Sequence, residues 1–207
     1  GRTQLTPACQ LRPFARETFP TDSTIHLTES TMESKLAPAT LGYFTIVQQE
    51  RTGWTGGLLV LNGGGRPLEF QCTLPLRPSK AHEILFGNTL RQHLICDVIG
   101  PTLLKKCRTP ISMLMCEQTE SLRMTDASCT IGFVATPEND GKAYVAREPD
   151  GHCSLKVCGA SVLVAMEQME AAEQVAEQMG DFPDVIEPFE RIREAIREAQ
   201  SQIARAA

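Results

Sequence analysis

The sequence has few aromatic residues, no long apolar run and no block of positive charge. Phe, Trp and Tyr make up 5% of the 207 residues, so the core has to be built mainly from aliphatic side chains. No apolar stretch approaches the roughly 20 residues that span a bilayer, which predicts a soluble chain without a membrane segment. The formal net charge is -5, and no run of consecutive Lys and Arg residues is longer than two. Nucleic acid is therefore an unlikely partner on charge alone.

The sequence also lacks any C-x-x-C pair, although it contains eight cysteines. Disulfide scaffolds are short and poor in core residues, whereas hydrophobic residues make up 42% of this chain. Several cysteines also lie inside apparent strands, where a small buried side chain is expected. We therefore interpret them as reduced thiols of a cytoplasmic protein.

The composition divides the chain into three predicted parts. Residues 1–38 contain four prolines and many Ser and Thr without a hydrophobic period, which indicates an extended N-terminal arm or a loose tail. Residues 39–180 have the strand and helix patterns of an α+β domain. Residues 181–207 have the spacing of a C-terminal amphipathic helix.

Three strands are predicted at the start of the α+β domain. Residues 41–47 are aromatic and β-branched, residues 58–61 are continuously apolar, and residues 68–74 alternate apolar with polar. The glycine-bearing segments between them, 51–57 and 62–65, are predicted to be turns, which gives an antiparallel meander. Phosphate-binding loops need a helix directly after the glycines, and here a strand follows, so the turns are not interpreted as phosphate sites.

Helices and further strands follow the meander. Ser79 is the predicted N-cap of a helix through Phe86, and a second helix is predicted over 89–107. Residues 110–116 are apolar on both faces, which suits a strand covered on both sides. Residues 161–179 begin like a strand and continue with strong helix formers. The remaining predicted strands are 130–135, 142–147 and 153–158.

The predicted fold class is α+β: a mainly antiparallel sheet, opened by a three-stranded meander and followed by C-terminal amphipathic helices. The β-β-β-α-β order resembles that of ribonuclease-H-like nucleases, which is a likeness of order and not of a motif. Such enzymes place a metal-binding carboxylate in the first strand. The first strand here, residues 43–49, has no acid before Glu50. This interpretation therefore implies a sheet whose catalytic centre is missing.

Two sets of side chains are candidates for chemistry. His93 and Cys96 share a helix face at i and i+3, and an imidazole can lower the pKa of a neighbouring thiol, so they form the candidate catalytic pair. The candidate metal ligands are His152, Cys153 and Cys158, which would converge only on a bent loop and are otherwise core or partly exposed residues. No motif in the sequence predicts a cofactor.

The C-terminal helix supplies the main functional hypothesis. An isolated helix of this length is marginal in water, so its apolar seam must dock on its own sheet, on a partner or on a second copy. The seam consists of Val185, Phe189, Ile192, Ile196 and Ile203. We expect a non-catalytic binding or assembly protein acting through protein–protein contacts. The alternatives are a thiol- or metal-dependent enzyme and a degenerate nuclease-like nucleic-acid-binding domain.

Overall fold

The computed structural model of the protein describes residues 9–10, 38–124, 127–136, 150–179, 182 and 184–206. These residues form a mixed α+β fold, as the sequence predicts. The predicted strand at 142–147 and most of the predicted N-terminal arm lie outside the described residues. The division of the chain into three parts stays a prediction.

Within the described ranges, eight strands form a single sheet. They are β1 (Cys9–Gln10), β2 (Thr40–Gln49), β3 (Gly53–Asn62), β4 (Pro67–Cys72), β5 (Met113–Cys116), β6 (Thr130–Val134), β7 (His152–Val157) and β8 (Ala160–Ala165). Their order across the sheet is β1-β4-β3-β2-β5-β6-β8-β7. β5 is parallel to β2 and β6 is parallel to β5, whereas the other neighbouring pairs are antiparallel. The sheet is therefore mainly antiparallel, with a parallel centre.

Five α-helices accompany the sheet in the described part of the chain. They are α1 (Lys80–Phe86), α2 (Leu90–His93), α3 (Gly100–Lys106), α4 (Met169–Glu177) and α5 (Glu187–Ala206), and a π-helical segment, Leu94–Ile99, joins α2 to α3. The hydroxyl of Ser79 accepts a hydrogen bond from the backbone N–H of His82 at 3.3 Å, which confirms Ser79 as the N-cap of α1. The segment 161–179 contains both predicted elements, since β8 is followed by α4.

The helices cover the two faces of the sheet and create one apolar core on each side. The segment from α2 to α3 packs on one face, where its aliphatic side chains meet those of β2, β3 and β5. On the opposite face, α4 and α5 pack against another set of side chains from the same strands. All four residues of β5 are buried, as expected for a strand covered on both sides.

The apolar seam of the C-terminal helix is part of this second core. Val185, Phe189, Ile192 and Ile196 are at most 1% exposed, because they pack on the sheet of their own chain. Only Ile203 remains exposed, at 43%. The prediction that this seam binds a partner or a second copy is therefore wrong for four of its five residues. In the part of the chain that is described, no helix has both the length and the apolar composition to cross a membrane.

The glycine-bearing segment at 53–57 is a strand and not the predicted turn. It forms the first half of β3, and two of its glycines allow the helices to approach the sheet closely. A Cβ on Gly56 would lie 2.2 Å from Ile99 Cγ2, and a Cβ on Gly57 would lie 2.3 Å from Ile192 Cγ2. The helix layers on both faces thus meet β3 where it has no side chains.

Candidate functional site

A polar cluster lies in the sheet where β5 ends. Phe44 of β2 pairs with Cys116 of β5, so the next residues along these parallel strands, Thr45 and Glu117, lie side by side. Thr45 is 0% exposed and Glu117 is 7% exposed. Polar side chains buried at this depth need hydrogen-bond partners, because an unsatisfied group would cost free energy.

The carboxylate of Glu117 has donors on both of its oxygens. Thr45 donates its hydroxyl hydrogen to Oε1, and Gln118 donates an amide hydrogen to the same oxygen at 3.3 Å. The Gln118 amide also donates to Thr45 Oγ1 at 3.3 Å. On the other side, the guanidinium of Arg193 donates to Glu117 Oε2. The side-chain amide oxygen of Gln118, Oε1, is buried and has no hydrogen-bond donor among the described residues.

Arg193 comes from α5 and makes the cluster an ion pair between a helix and a strand end. The side chain of Glu117 is 6% exposed and that of Arg193 is 19% exposed. A carboxylate buried to this degree requires a cationic partner, since desolvation of an unpaired charge is costly. Arg193 is therefore the counter-ion that allows Glu117 to stay ionised inside the sheet layer.

The cluster does not fit a divalent metal. Mg²⁺ prefers oxygen ligands, usually from carboxylates, and the oxygens of Glu117 are already engaged by a hydroxyl, an amide and a guanidinium. Thr45 offers a neutral hydroxyl at the position beside it. Nowhere in the described ranges do three or more His, Cys, Asp or Glu side chains gather to hold a metal ion. The positively charged guanidinium of Arg193 occupies the position beside the carboxylate that a metal cation would need.

Arginine side chains surround this end of the sheet. Arg51 lies in the turn between β2 and β3, and Arg77 lies beside Gly53 at the start of β3. The Arg91 guanidinium lies 5.5 Å from the ring centroid of Trp54 and also pairs with Glu120 at 2.6 Å. The arginine rim consists of Arg51, Arg77, Arg91 and Arg123, which are all exposed. Glu50, Asp97 and Glu120 lie among them, so this edge has charges of both signs.

Comparison with known proteins gives matches among solved structures only. No family model matches the chain, and no curated protein matches it. A variant of Ciona intestinalis endonuclease V, in complex with a 23mer DNA containing an inosine followed by a ribo-adenosine, is 13% identical with a TM-score of 0.41. This match covers 83% of the present chain and 88% of the other. Endonuclease V of the same organism with a 24mer DNA has the same identity and TM-score, with 83% and 89% covered.

Human ENDOV is a further match, 14% identical, with a TM-score of 0.38 and coverage of 79% of this chain and 86% of that chain. Two of these three structures are endonuclease V in complex with DNA. They contradict the expectation of a non-catalytic protein–protein binding role and the expectation that nucleic acid is an unlikely partner. Because the TM-scores lie below 0.5, no residue role is transferred from these structures.

The candidate catalytic pair makes separate contacts. The His93 ring stacks on Phe86 with centroids 4.1 Å apart, and its Nδ1 lies 2.8 Å from Asp97 Oδ2. The Cys96 thiol donates to the backbone oxygen of Glu120 at 3.0 Å. Burial raises the pKa of Cys96 to about 11, and the nearby Asp97 and Glu120 carboxylates contribute. The thiolate that a nucleophile needs is therefore disfavoured here, and the catalytic pair stays a prediction.

The candidate metal ligands lie at one edge of the sheet. His152 and Cys153 are consecutive on β7, where side chains alternate between faces. Cys158 follows β7 with a φ of 45°, and its thiol donates to the backbone oxygen of Met179 at 3.2 Å. Within the described residues they do not form a metal-binding group of three. The metal site stays a prediction without support from these contacts.

Sequence reasoning missed Glu117, Thr45 and Arg193. The available signal was a glutamate directly after a strand that is apolar on both faces, because such a charge continues a buried layer and needs a partner. The identity of the partners is not readable from the sequence. Arg193 is 76 positions from Glu117, and Thr45 is 72 positions away.

Proposed function

We propose that this chain binds nucleic acid along the arginine rim, at the end of the sheet where β2 and β5 terminate, and that it does not cleave the nucleic acid by a metal-dependent route. The observation that carries the proposal is the ion pair of Glu117 with Arg193 beside Thr45. The centre between the parallel strands is thus polar and charged. The groups that contact its carboxylate are a guanidinium and a hydroxyl, and further metal-binding carboxylates are absent from the described residues there.

The position of this centre supports a binding role. In open sheets, ligands bind beyond the carboxyl ends of parallel strands, next to the point where the connections diverge. β2 and β5 are such neighbours, since the chain leaves β2 toward β3 on one side and returns through the helices to β5 on the other. The strand order β4-β3-β2-β5-β6 also resembles that of ribonuclease-H-like nucleases, which is support by analogy of fold.

The arginine rim supports phosphate contacts at the same end. Arg51 and Arg77 make no ion pair with any described residue, so their guanidinium groups are available to phosphate oxygens. Arginine binds phosphates through two parallel N–H donors, and such contacts provide most non-specific affinity for nucleic acid. Exposed arginines without an acidic partner can thus bind a polyanion although the whole chain is acidic.

The cytoplasm, or another reducing compartment, is the proposed location. Six described cysteines are thiols and form no disulfide within the described residues: Cys96, Cys107, Cys116, Cys129, Cys153 and Cys158. Thiols persist in this form where glutathione and thioredoxin keep them reduced.

Fluorescence anisotropy with labelled single-stranded DNA, duplex DNA and RNA tests the binding. We expect affinity to fall as salt rises, with a log–log slope that reports the number of phosphate contacts. The variant Arg51→Gln/Arg77→Gln/Arg123→Gln should weaken binding and reduce that slope by about 3, roughly one unit for each lost contact. The matched control Arg66→Gln/Lys106→Gln/Lys156→Gln removes the same charge away from the rim and should bind nearly as the unchanged chain does. Equal losses in both variants would contradict an interface at the rim.

A cleavage assay tests the second half of the proposal. The same nucleic acids are incubated with the protein in Mg²⁺ or Mn²⁺ and separated on denaturing gels. We expect intact strands at every metal concentration, since Arg193 occupies the carboxylate. Metal-dependent cleavage that disappears in Glu117→Gln would overturn the proposal.

A further inference from the structure

A second concave site lies at the opposite end of the parallel strands. It is a cleft of about 340 Å³ where α3 ends, the chain enters β5, and residues 128–129 precede β6. This volume is at the lower end of the range of small-molecule pockets, roughly 300–1,000 Å³. The polar residues that line it are Lys105, Cys107, Arg108, Thr109, Ser128 and Cys129. Aliphatic and proline side chains complete the wall.

The charge that lines this cleft is positive. Lys105 and Arg108 are exposed, and neither forms an ion pair with any residue that the structure describes. Among the residues that the structure describes, no acidic side chain lines the cleft. Burial raises the pKa of Cys107 to about 12, with the nearby Glu69 adding to it, and burial raises the pKa of Cys129 to about 11. Both thiols are therefore neutral, and the two cations determine the charge of the lining.

Glu69 has a carboxylate close to the cleft, and this carboxylate is engaged elsewhere. Glu69 of β4 accepts hydrogen bonds from the backbone N–H groups of Arg108 and Thr109, at 3.1 and 2.8 Å. Burial alone would raise the pKa of Glu69, but the hydrogen bonds, first of all those from Thr109, lower it. Glu69 thus stays ionised and holds the 108–109 backbone and the Thr109 side chain, while the Arg108 side chain remains free to line the cleft.

We infer that this cleft binds a phosphate monoester. Two cations match the charge of the dianion, and the Arg108 guanidinium can donate two parallel hydrogen bonds to its oxygens. The hydroxyl of Ser128 supplies a further donor. The organic part of the ligand would lie against the neutral thiols and the aliphatic wall. The site is at the amino ends of β5 and β6, whereas Glu117 lies at the carboxyl end of β5, so it does not depend on the proposed nucleic-acid interface.

Titration calorimetry with the full chain at constant ionic strength tests the inference. The probes are inorganic phosphate, a nucleoside monophosphate and acetate, and a 5′-phosphorylated oligonucleotide is compared with its unphosphorylated form. We expect the monophosphate to bind at least tenfold more tightly than acetate, and more tightly than inorganic phosphate. Preference for the 5′-phosphorylated oligonucleotide would identify a strand end as the source of the phosphate. Equal binding of all anions would overturn the inference.

Two variants locate the binding. Lys105→Gln/Arg108→Gln leaves intact the backbone N–H groups of residues 108 and 109 that donate to Glu69. This variant should weaken monophosphate binding at least tenfold. Lys156→Gln/Arg205→Gln removes the same charge from exposed positions at the other end of the sheet and should bind as the unchanged chain does. Ser128→Trp, at an exposed position, should block the cleft without disturbing the core. Unchanged affinity in both cleft variants would refute the site, even if the chain binds nucleic acid at the rim.

Discussion

The guanidinium of Arg193 and the carboxylate of Glu117 form an ion pair that joins the C-terminal helix α5 to the end of β5. The two side chains are largely buried, and Thr45 and Gln118 complete the hydrogen bonds of the carboxylate. This pair links the layer of α5 to the centre of the sheet. The Arg193 guanidinium engages the Glu117 carboxylate, which would otherwise be open at the end of β5.

Removal of Arg193 should be strongly destabilising. Arg193→Leu leaves the Glu117 charge buried without a counter-ion, which costs roughly 3 kcal/mol in comparable pairs. The double variant Glu117→Leu/Arg193→Leu removes both charges and should recover most of that loss. Urea denaturation monitored by circular dichroism measures both. Lys80→Gln, which breaks a pair at the surface, should leave the urea midpoint unchanged, and an equally small effect of Arg193→Leu would contradict the role given to the pair.

Gly57→Ala should separate β3 from α5. The new Cβ would meet Ile192 Cγ2 at 2.3 Å and Ile196 Cδ1 at 3.0 Å, and overpacking of this kind costs about 1–3 kcal/mol. Gly57→Ala should lower the free energy of unfolding less in a chain that already carries Ile192→Ala, because that variant lacks the clashing methyl group. Gly63→Ala is the control, since its Cβ would meet nothing closer than 3.6 Å. Equal thermal midpoints for Gly57→Ala and Gly63→Ala would show that α5 does not approach β3 so closely.

Tyr43→Phe should be tolerated at neutral pH and should reduce alkaline unfolding. The Tyr43 hydroxyl is buried without a hydrogen-bond partner among the described residues, so its removal should be neutral or stabilise by about 1 kcal/mol. Burial raises the pKa of Tyr43 far above its usual 10.0, with the nearby Cys158 and Asp184 contributing. Above pH 10 the unfolded chain therefore loses a proton that the folded chain retains, and the free energy of unfolding falls.

The measurement for Tyr43 is urea denaturation at pH 7.5 and at pH values above 10. The difference in free energy of unfolding between the two conditions should be smaller in Tyr43→Phe than in the unchanged chain. A larger difference, or a loss of stability at pH 7.5 comparable to that of a core cavity, would mean that the hydroxyl has a partner.

Cys96 should react slowly with alkylating agents. With a pKa of about 11, only about one thiol in a thousand is ionised at pH 8, and the thiolate is the reactive form. Mass spectrometry after brief iodoacetamide treatment should find the exposed Cys158 modified well before Cys96. Faster modification of Cys96 than of free cysteine would instead revive the catalytic pair with His93.

Local patterns in the sequence were enough for most of the individual elements. The Ser79 N-cap, the Asn62 turn and the apolar strand predicted over 110–116 each depend on residues close together in the chain. All three are present in the structure, although the strand is shorter than predicted, Met113–Cys116. The segment at 53–57 was mistaken for a turn, because glycines there serve contacts with helices more than 40 residues away. Turn propensity and close packing require the same residue, and the sequence does not distinguish them.

The sequence by itself determined the α+β class, the strand periodicities and the amphipathic helix at the C-terminus, because each follows from hydrophobic spacing over a few turns of chain. Only the tertiary structure decided that the helix seam is buried on its own sheet and that Thr45, Glu117 and Arg193 meet. Those contacts require the parallel pairing of β2 with β5 and the docking of α5 across it, which bring together residues 72 and 76 positions apart. Such pairing results from the packing of the whole sheet, and no local pattern encodes it.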